Sequence, residues 1–217
     1  MDILDYKEPV CKIYFTRHGQ TKANKDQLLF GQLDWDLNKE GVKQAKQAAV
    51  NLLKIAKKVK IDHIISSPLK RTKHTAKIII KKLVRAGLAP AQVTVDKNLI
   101  EKSEGLWEGH SFWEVRKKDP QNYKKWLKDP FRIRPPKGES VEDLNKRARK
   151  FYKTVLRKYL GKNIIVVTHS GPIRLFILNL LKTNINKFWY FKVETGSITE
   201  VHVSKKQSLV WAINRIW

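Results

Sequence analysis

Residues 163–172 read Asn-Ile-Ile-Val-Val-Thr-His-Ser-Gly-Pro, and this stretch decides the fold class. Four β-branched apolar residues in a row, closed by a polar turn, predict a short strand buried on both faces. Pro172 then predicts the start of a helix, since proline suits a first helical turn. A buried strand passing through a glycine turn into a helix is the repeating unit of an α/β layered fold. The same unit recurs upstream. Val10–Thr16 (VCKIYFT) is rich in β-formers and ends at Arg17-His18-Gly19, and Asp62–Ser66 (DHIIS) leads into Ser67-Pro68. Asn38 predicts a cap on a helix from Lys39 to about Val59, with Ala45, Ala48, Ala49, Leu52, Leu53 and Ala56 on one face. Ser67 and Pro68 predict a cap and first residue for a second helix, whose stripe is Ala76, Ile79, Ile80, Leu83 and Val84 and whose stop is Gly87. Val93–Val95 predicts another strand. Ser140 opens a capping box for a helix to about Tyr159. Ser197–Val203 and Leu209–Ile213 predict an antiparallel pair at the sheet edge. The expected architecture is a three-layer α/β sandwich: a mainly parallel central sheet flanked by helices, with antiparallel edge strands and a small helical cap.

Composition narrows the class of protein. The chain has 217 residues, 41% hydrophobic, with 7 Trp, 8 Phe and 6 Tyr, enough to bury a core and exclude intrinsic disorder. One domain over residues 1–217 is expected, with an insertion at about 97–138. No apolar run approaches the ~20 residues of a membrane span. The first ten residues carry three acids and no apolar stretch, unlike a secretory signal. Cys11 is the only cysteine, which excludes disulfide and zinc-cluster scaffolds and points to a reducing cytoplasm. The formal charge is +25, from 45 Lys+Arg against 20 Asp+Glu. Its lysines are scattered, as in Lys57-Lys58, Lys81-Lys82 and Lys117-Lys118, with no long basic block. A solvated lysine coat is therefore expected rather than a nucleic-acid face, for which the usual motifs are missing.

Chemistry concentrates at two matched turns. His18 and His169 each follow a strand and a threonine and precede a glycine-containing turn, at the strand ends where α/β sheets bind ligands. Arg17 precedes His18, and Arg71 lies just beyond Ser67-Pro68. Fixed positive charge opposes a metal cation but suits a phosphate, which guanidinium groups bind bidentately. Helix N-termini aimed at the same crevice add to that preference. A neutral imidazole among cations also keeps one nitrogen unprotonated and nucleophilic. His63, His110 and His202 read as structural residues, and His74 as exposed. From Lys97 to Gly138 the character changes, with Trp107, Trp113, Trp126 and most of the prolines in short helical pieces. Most of these aromatics are expected to form the cap's own small core.

These residues resemble the histidine phosphatase superfamily, in its phosphoglycerate-mutase-like branch. Arg17-His18-Gly19-Gln20-Thr21 with Asn24 is similar to that family's signature. Leu37-Asn38, Gly41 and Gln44-Ala45 continue it, then Ser66-Ser67-Pro68-Leu69 with Arg71-Thr72 and Thr75-Ala76. Leu99, Glu101, Gly105 and Trp107-Glu108-Gly109 follow, then Gly138-Glu139-Ser140 and Val167-Thr168-His169-Ser170-Gly171, so that the likeness spans roughly residues 13 to 175 in order. The resemblance implies that His18 attacks phosphorus and carries the phosphoryl group. Arg17, Arg71 and His169 would hold its oxygens. Glu101 would serve as acid and then base. Gln20, Thr21, Asn24, Ser170 and Gly171 would add substrate contacts. No metal and no cofactor are implied, because arginine supplies the positive charge.

Departures within the family favour hydrolysis. Gln20-Thr21-Lys22 follows Gly19 where the acid-phosphatase branch has Arg and Pro. Mutases usually carry Glu where Gln20 stands, and a longer segment between the acid and the second histidine. The expected function is a metal-independent phosphomonoesterase acting on a small phosphorylated metabolite, as a cytoplasmic monomer or homodimer. An α-ribazole phosphate or a sugar phosphate is a narrower case. A phosphoglycerate mutase-type phosphotransferase, and a basic nucleic-acid-binding or adaptor protein with a vestigial site, are the competing readings.

Overall fold

A computed structural model describes residues 8–88, 90 and 92–216, so the expectation about the N-terminal leader falls mostly on residues 1–7, outside the described region. Among the described residues the chain forms one six-stranded sheet of order β3-β2-β4-β1-β5-β6. The strands are β1 (Cys11–Arg17), β2 (His63–Ser66), β3 (Gln92–Val95), β4 (Asn163–Thr168), β5 (Ile198–Val203) and β6 (Ser208–Arg215). The first four in sequence run parallel; β5 pairs antiparallel with β1, and β6 with β5. The helices are α1 (Lys22–Lys25), α2 (Lys39–Ala56), α3 (Lys70–Arg85), α4 (Phe112–Lys118), α5 (Pro120–Lys128), α6 (Val141–Lys158) and α7 (Ser170–Leu180).

Alternation along the central strands builds two cores. Ile13, Phe15, Ile164 and Val166 face Phe151 of α6 and Phe176 of α7. Tyr14, Ile165 and Val167 face Leu52 of α2 and Ile79 of α3. Period-2 side chains from strands buried on both sides thus require a helix layer on each face. Residues 97–138 hold α4 and α5, and their Trp107, Val115 and Trp126 form a separate small cluster with Leu29. No helix among the described residues is long and apolar enough to cross a membrane.

Three local expectations are corrected. Helix α3 begins at Lys70 after Leu69, not at Ser67-Pro68. The Ser67 hydroxyl is instead engaged with His169 at 2.8 Å, so a tertiary partner outcompetes the local cap. Helix α7 starts at Ser170 with His169 at its cap position, two residues before Pro172. Val84 does not share the buried stripe of α3, being 52% exposed. One residue past Leu83 turns about 100° around the helix, away from the sheet.

That last difference can be measured. Ile79→Ala should cost about 2–5 kcal/mol, as large-to-small core changes do. Val84→Ala should stay within about 0.5 kcal/mol, as exposed changes do. Urea denaturation of both variants checks the assignment of the α3 face; comparable losses would contradict it.

Candidate active site

The parallel register of β1 with β4 aligns Arg17 with Thr168, so the residues that follow, His18 and His169, emerge side by side. Their ring centroids are 5.1 Å apart. Both rings are buried, and burial and the Arg71 and Arg17 guanidiniums hold both well below the ordinary imidazole range. His18 Nδ1 lies 2.8 Å from the Gly19 carbonyl, which can only accept. Nδ1 therefore carries the proton, and Nε2 keeps its lone pair. The turn that sets this geometry depends on close backbone approach. A Cβ on Gly19 would collide with the Gly41 carbonyl, and one on Gly41 with Gln20. Neither glycine is there for a left-handed backbone.

His169 is fully engaged. Arg71 Nε donates to its Nδ1 at 3.3 Å, so the Nε2–H is the one directed to Ser67 Oγ. Arg71 is completely buried; it donates to the carbonyls of Gly31 at 2.6 Å and Leu33 at 3.2 Å and lies over the Phe30 ring. Arg17 donates to the Val193 carbonyl at 2.6 Å. Burial lowers both arginines to about 10, a value at which they remain cations at neutral pH.

Glu101 faces the start of α7. Its Oε2 accepts from the Gly171 N–H at 3.1 Å and the Ser170 hydroxyl at 3.3 Å, and its Oε1 from the Lys102 N–H at 2.9 Å. A Cβ on Gly171 would strike this carboxylate, so only glycine lets it seat against the helix N-terminus. Arg147 of α6 fixes the loop from behind. It donates to the carbonyls of Ile100 at 2.6 Å and Glu101 at 3.2 Å while pairing with Glu139 at 2.6 Å.

A pocket of about 280 Å³ is lined by Arg17, His18, Glu101, Ser170 and Gly171 from the expected set. His169, whose ring is 5.1 Å from that of His18, and Arg71 do not line the pocket. Gln20, Thr21 and Asn24 do not line it. The Gln20 side chain accepts from Asn38, and Thr21 and Asn24 form the capping box of α1. The sequence reading missed Phe30, Lys102, Glu104, Arg174 and Trp189, all in the wall. Arg174 had a detectable signal: it stands one helical turn beyond Ser170, on the same face of α7. Its guanidinium stacks over Phe188 and donates to the Phe191 carbonyl at 3.0 Å. Glu104 is pushed up by burial and opposed by Lys102, its ion-pair partner at 2.6 Å.

The cap aromatics divide by role. Trp107 packs on Tyr123 and Trp126 in the cap's own core. Phe112 and Trp126 reach the pocket, whereas Trp113 is exposed under Lys117. Among the other histidines, His63 packs edge-on against Tyr159, His74 is exposed, and His202 bonds Glu200.

Two buried imidazoles held neutral make stability depend on pH. The unfolded chain takes up protons at these sites near pH 6.5 while the folded chain does not, so stability rises with pH there. The melting temperature should be level above pH 7 and fall as pH drops through about 6.5 toward 5.5. In the His18→Asn/His169→Asn double variant that decline should flatten; an unchanged slope would show that these imidazoles do not cause it.

The family described as histidine phosphatase superfamily (branch 1) matches residues 13–215. Phosphoserine phosphatase 1 of Hydrogenobacter thermophilus is 30% identical over 205 residues, covering 94% of this chain and 92% of that protein. The adenosylcobalamin/alpha-ribazole phosphatase of Escherichia coli is 27% identical over 203 residues, covering 94% and 95%. The crystal structure of a putative alpha-ribazole-5'-P phosphatase from E. coli superposes with a TM-score of 0.83 at 26% identity, covering 94% of this chain and 96% of that one. With the paired histidines at the ends of β1 and β4, these likenesses place the chain in branch 1 of the histidine phosphatase superfamily.

Proposed function

We propose that the chain hydrolyses a small phosphate monoester through a phosphohistidine on His18, without a metal. The observation that carries this reading is the hydrogen bond from His18 Nδ1 to the Gly19 carbonyl, which leaves Nε2 unprotonated in a pocket beside Arg17 and Glu101. In the first step an Nε2–P bond forms, the P–O bond to the leaving group breaks, and Glu101 supplies the proton to the departing oxygen. In the second, Glu101 takes a proton from water, the water oxygen bonds to phosphorus as the Nε2–P bond breaks, and inorganic phosphate leaves. Arg17 and Arg71 offset the charge on the phosphoryl oxygens, the largest contribution in this kind of transfer. The His169 Nε2–H, now given to Ser67, becomes a phosphoryl donor by exchanging that partner.

The pocket wall bears on substrate choice. Relatives are named for phosphoserine and for α-ribazole phosphate, leaving groups of different shape. Phe30, Phe112, Trp126 and Trp189 offer flat apolar surface, which favours a leaving group with a planar or apolar face over a small amino acid. In this reading residues 1–217 act as one catalytic domain with 97–138 as its cap. The buried, unreactive thiol of Cys11 fits a reducing cytoplasm.

His18→Ala should abolish phosphate release from p-nitrophenyl phosphate, and wild-type activity should survive EDTA and be blocked by vanadate. Turnover by His18→Ala would refute the mechanism. Glu101→Gln should lower kcat/KM about 10²–10⁴-fold on an alkyl phosphate, where acid assistance matters most, and less on p-nitrophenyl phosphate. If Glu104→Gln shows the larger leaving-group dependence, the acid is Glu104. Phosphate release set against interconversion of 2- and 3-phosphoglycerate decides hydrolase from mutase, and a panel containing α-ribazole 5'-phosphate and phosphoserine ranks the leaving groups.

A further inference from the structure

A second hollow, of about 480 Å³, lies on the α2 face of the sheet, toward the end of β1 away from His18. Its floor comes from β1 and β5, where Lys12 stands opposite His202 and Tyr14 opposite Glu200. Its walls are Trp211 and Arg215 of β6 and, from the last turn of α2 and just beyond it, Lys54 and Lys58. Helix α2 covers the β1 side of the sheet but leaves β5 and β6 open at this point.

The charge arrangement is one-sided. Among the described residues the one acid in the lining, Glu200, is engaged at both oxygens, by His202 Nε2 at 2.9 Å and by Arg215 at 2.9 Å. Lys12, Lys54 and Lys58 form no ion pair among the described residues. A helix C-terminus favours a cation in its last turn. Three unpaired lysines converging on one concavity exceed that need and make it attractive to an anion.

Two groups at the floor lack partners. Tyr14 is 3% exposed, and its hydroxyl has no hydrogen-bond partner among the described residues. Burial, and secondarily Glu200, push its proton affinity up, so it is an O–H donor. His202 Nδ1 is also buried without a partner. Above them the His202 ring stacks on Trp211, centroids 5.2 Å apart and planes 14° apart. The indole is 51% exposed, so a flat apolar surface faces outward beside the lysines.

We propose that this hollow is a second binding site, separate from the phosphoryl-transfer pocket, for a small polyanion that carries a planar ring, a ligand of the nucleotide class. Trp211 takes the ring, Lys12, Lys54 and Lys58 take the anionic groups, and the Tyr14 hydroxyl donates to an acceptor at the floor. The volume suits a ligand of that size.

The test is calorimetric titration of ATP into full-length His18→Ala protein, which hydrolyses nothing through His18, with saturating orthovanadate in the catalytic pocket. One saturable site is expected. Lys54→Glu/Lys58→Glu should weaken it about tenfold or more, as reversal of desolvated charge contacts does. Trp211→Ala should weaken it about fivefold or more, the scale of one base stacked on one aromatic ring, with Trp211→Tyr restoring most of the loss. Lys150→Glu/Lys153→Glu, the same charge change on exposed α6 on the other side of the sheet, should alter binding less than about twofold. Equal weakening by that control would mean non-specific attraction and overturn the proposal. So would the absence of saturable binding, displacement by vanadate, or tripolyphosphate binding as tightly as ATP. Each readout is independent of catalysis, so the proposal and the phosphatase mechanism stand or fall separately.

Discussion

The parallel pairing of β1 with β4 is the constraint on which the site depends. Its register sets Arg17 beside Thr168, and the side-by-side placement of His18 and His169 follows from there. A slip of one residue would turn His18 or His169 to the opposite face of the sheet. The pairing is held by apolar side chains on both faces, from Ile13 and Phe15 on one side to Ile165 and Val167 on the other. Packing energy spent on the core is therefore also what fixes the distance between two imidazoles.

Around that pair the protein concentrates positive charge and excludes water. Burial alone would strip protons from both histidines, and Arg71 and Arg17 act in the same direction. The consequence is that the His18 Nε2 needs no separate base to be unprotonated near neutral pH. Arg71 is held by carbonyls of the 31–33 loop, and that loop in turn is clamped by Glu108 through the N–H groups of Gln32 at 2.9 Å and Leu33 at 2.6 Å. Glu108 also accepts from the Glu104 N–H at 2.9 Å, tying the arginine's support to the loop that carries Glu101. Preorganisation of this kind holds the pocket's fixed dipoles and charges in place before any anion arrives.

The large positive charge takes on a different meaning once located. Arg17 and Arg174 sit in the pocket wall, and Arg71 is buried against His169. Lys12, Lys54 and Lys58 gather at the other end of β1. Most other lysines, such as Lys150 and Lys153, stand on exposed helix faces, where they raise solubility and attract anions in a salt-dependent way.

The sequence by itself determined the layer architecture, because a short β-branched run such as Ile164–Val167, closed by a glycine turn, favours a strand covered on both faces. It also singled out His18, His169, Arg17, Arg71 and Glu101, whose residue types and turn contexts are local. Tertiary structure alone decided who touches whom across long separations. Ser67 lies 102 residues from His169, and only folding shows that its hydroxyl serves that ring rather than a helix cap. Arg147 behind Glu101, and Phe30, Glu104 and Trp189 in the wall, carry no periodicity or motif that announces a pocket. Gln20, Thr21 and Asn24, close to His18 in the chain, turn instead into caps and braces. Periodicity records which face of an element is buried; which distant element buries it is settled by packing, through a competition that no single segment contains.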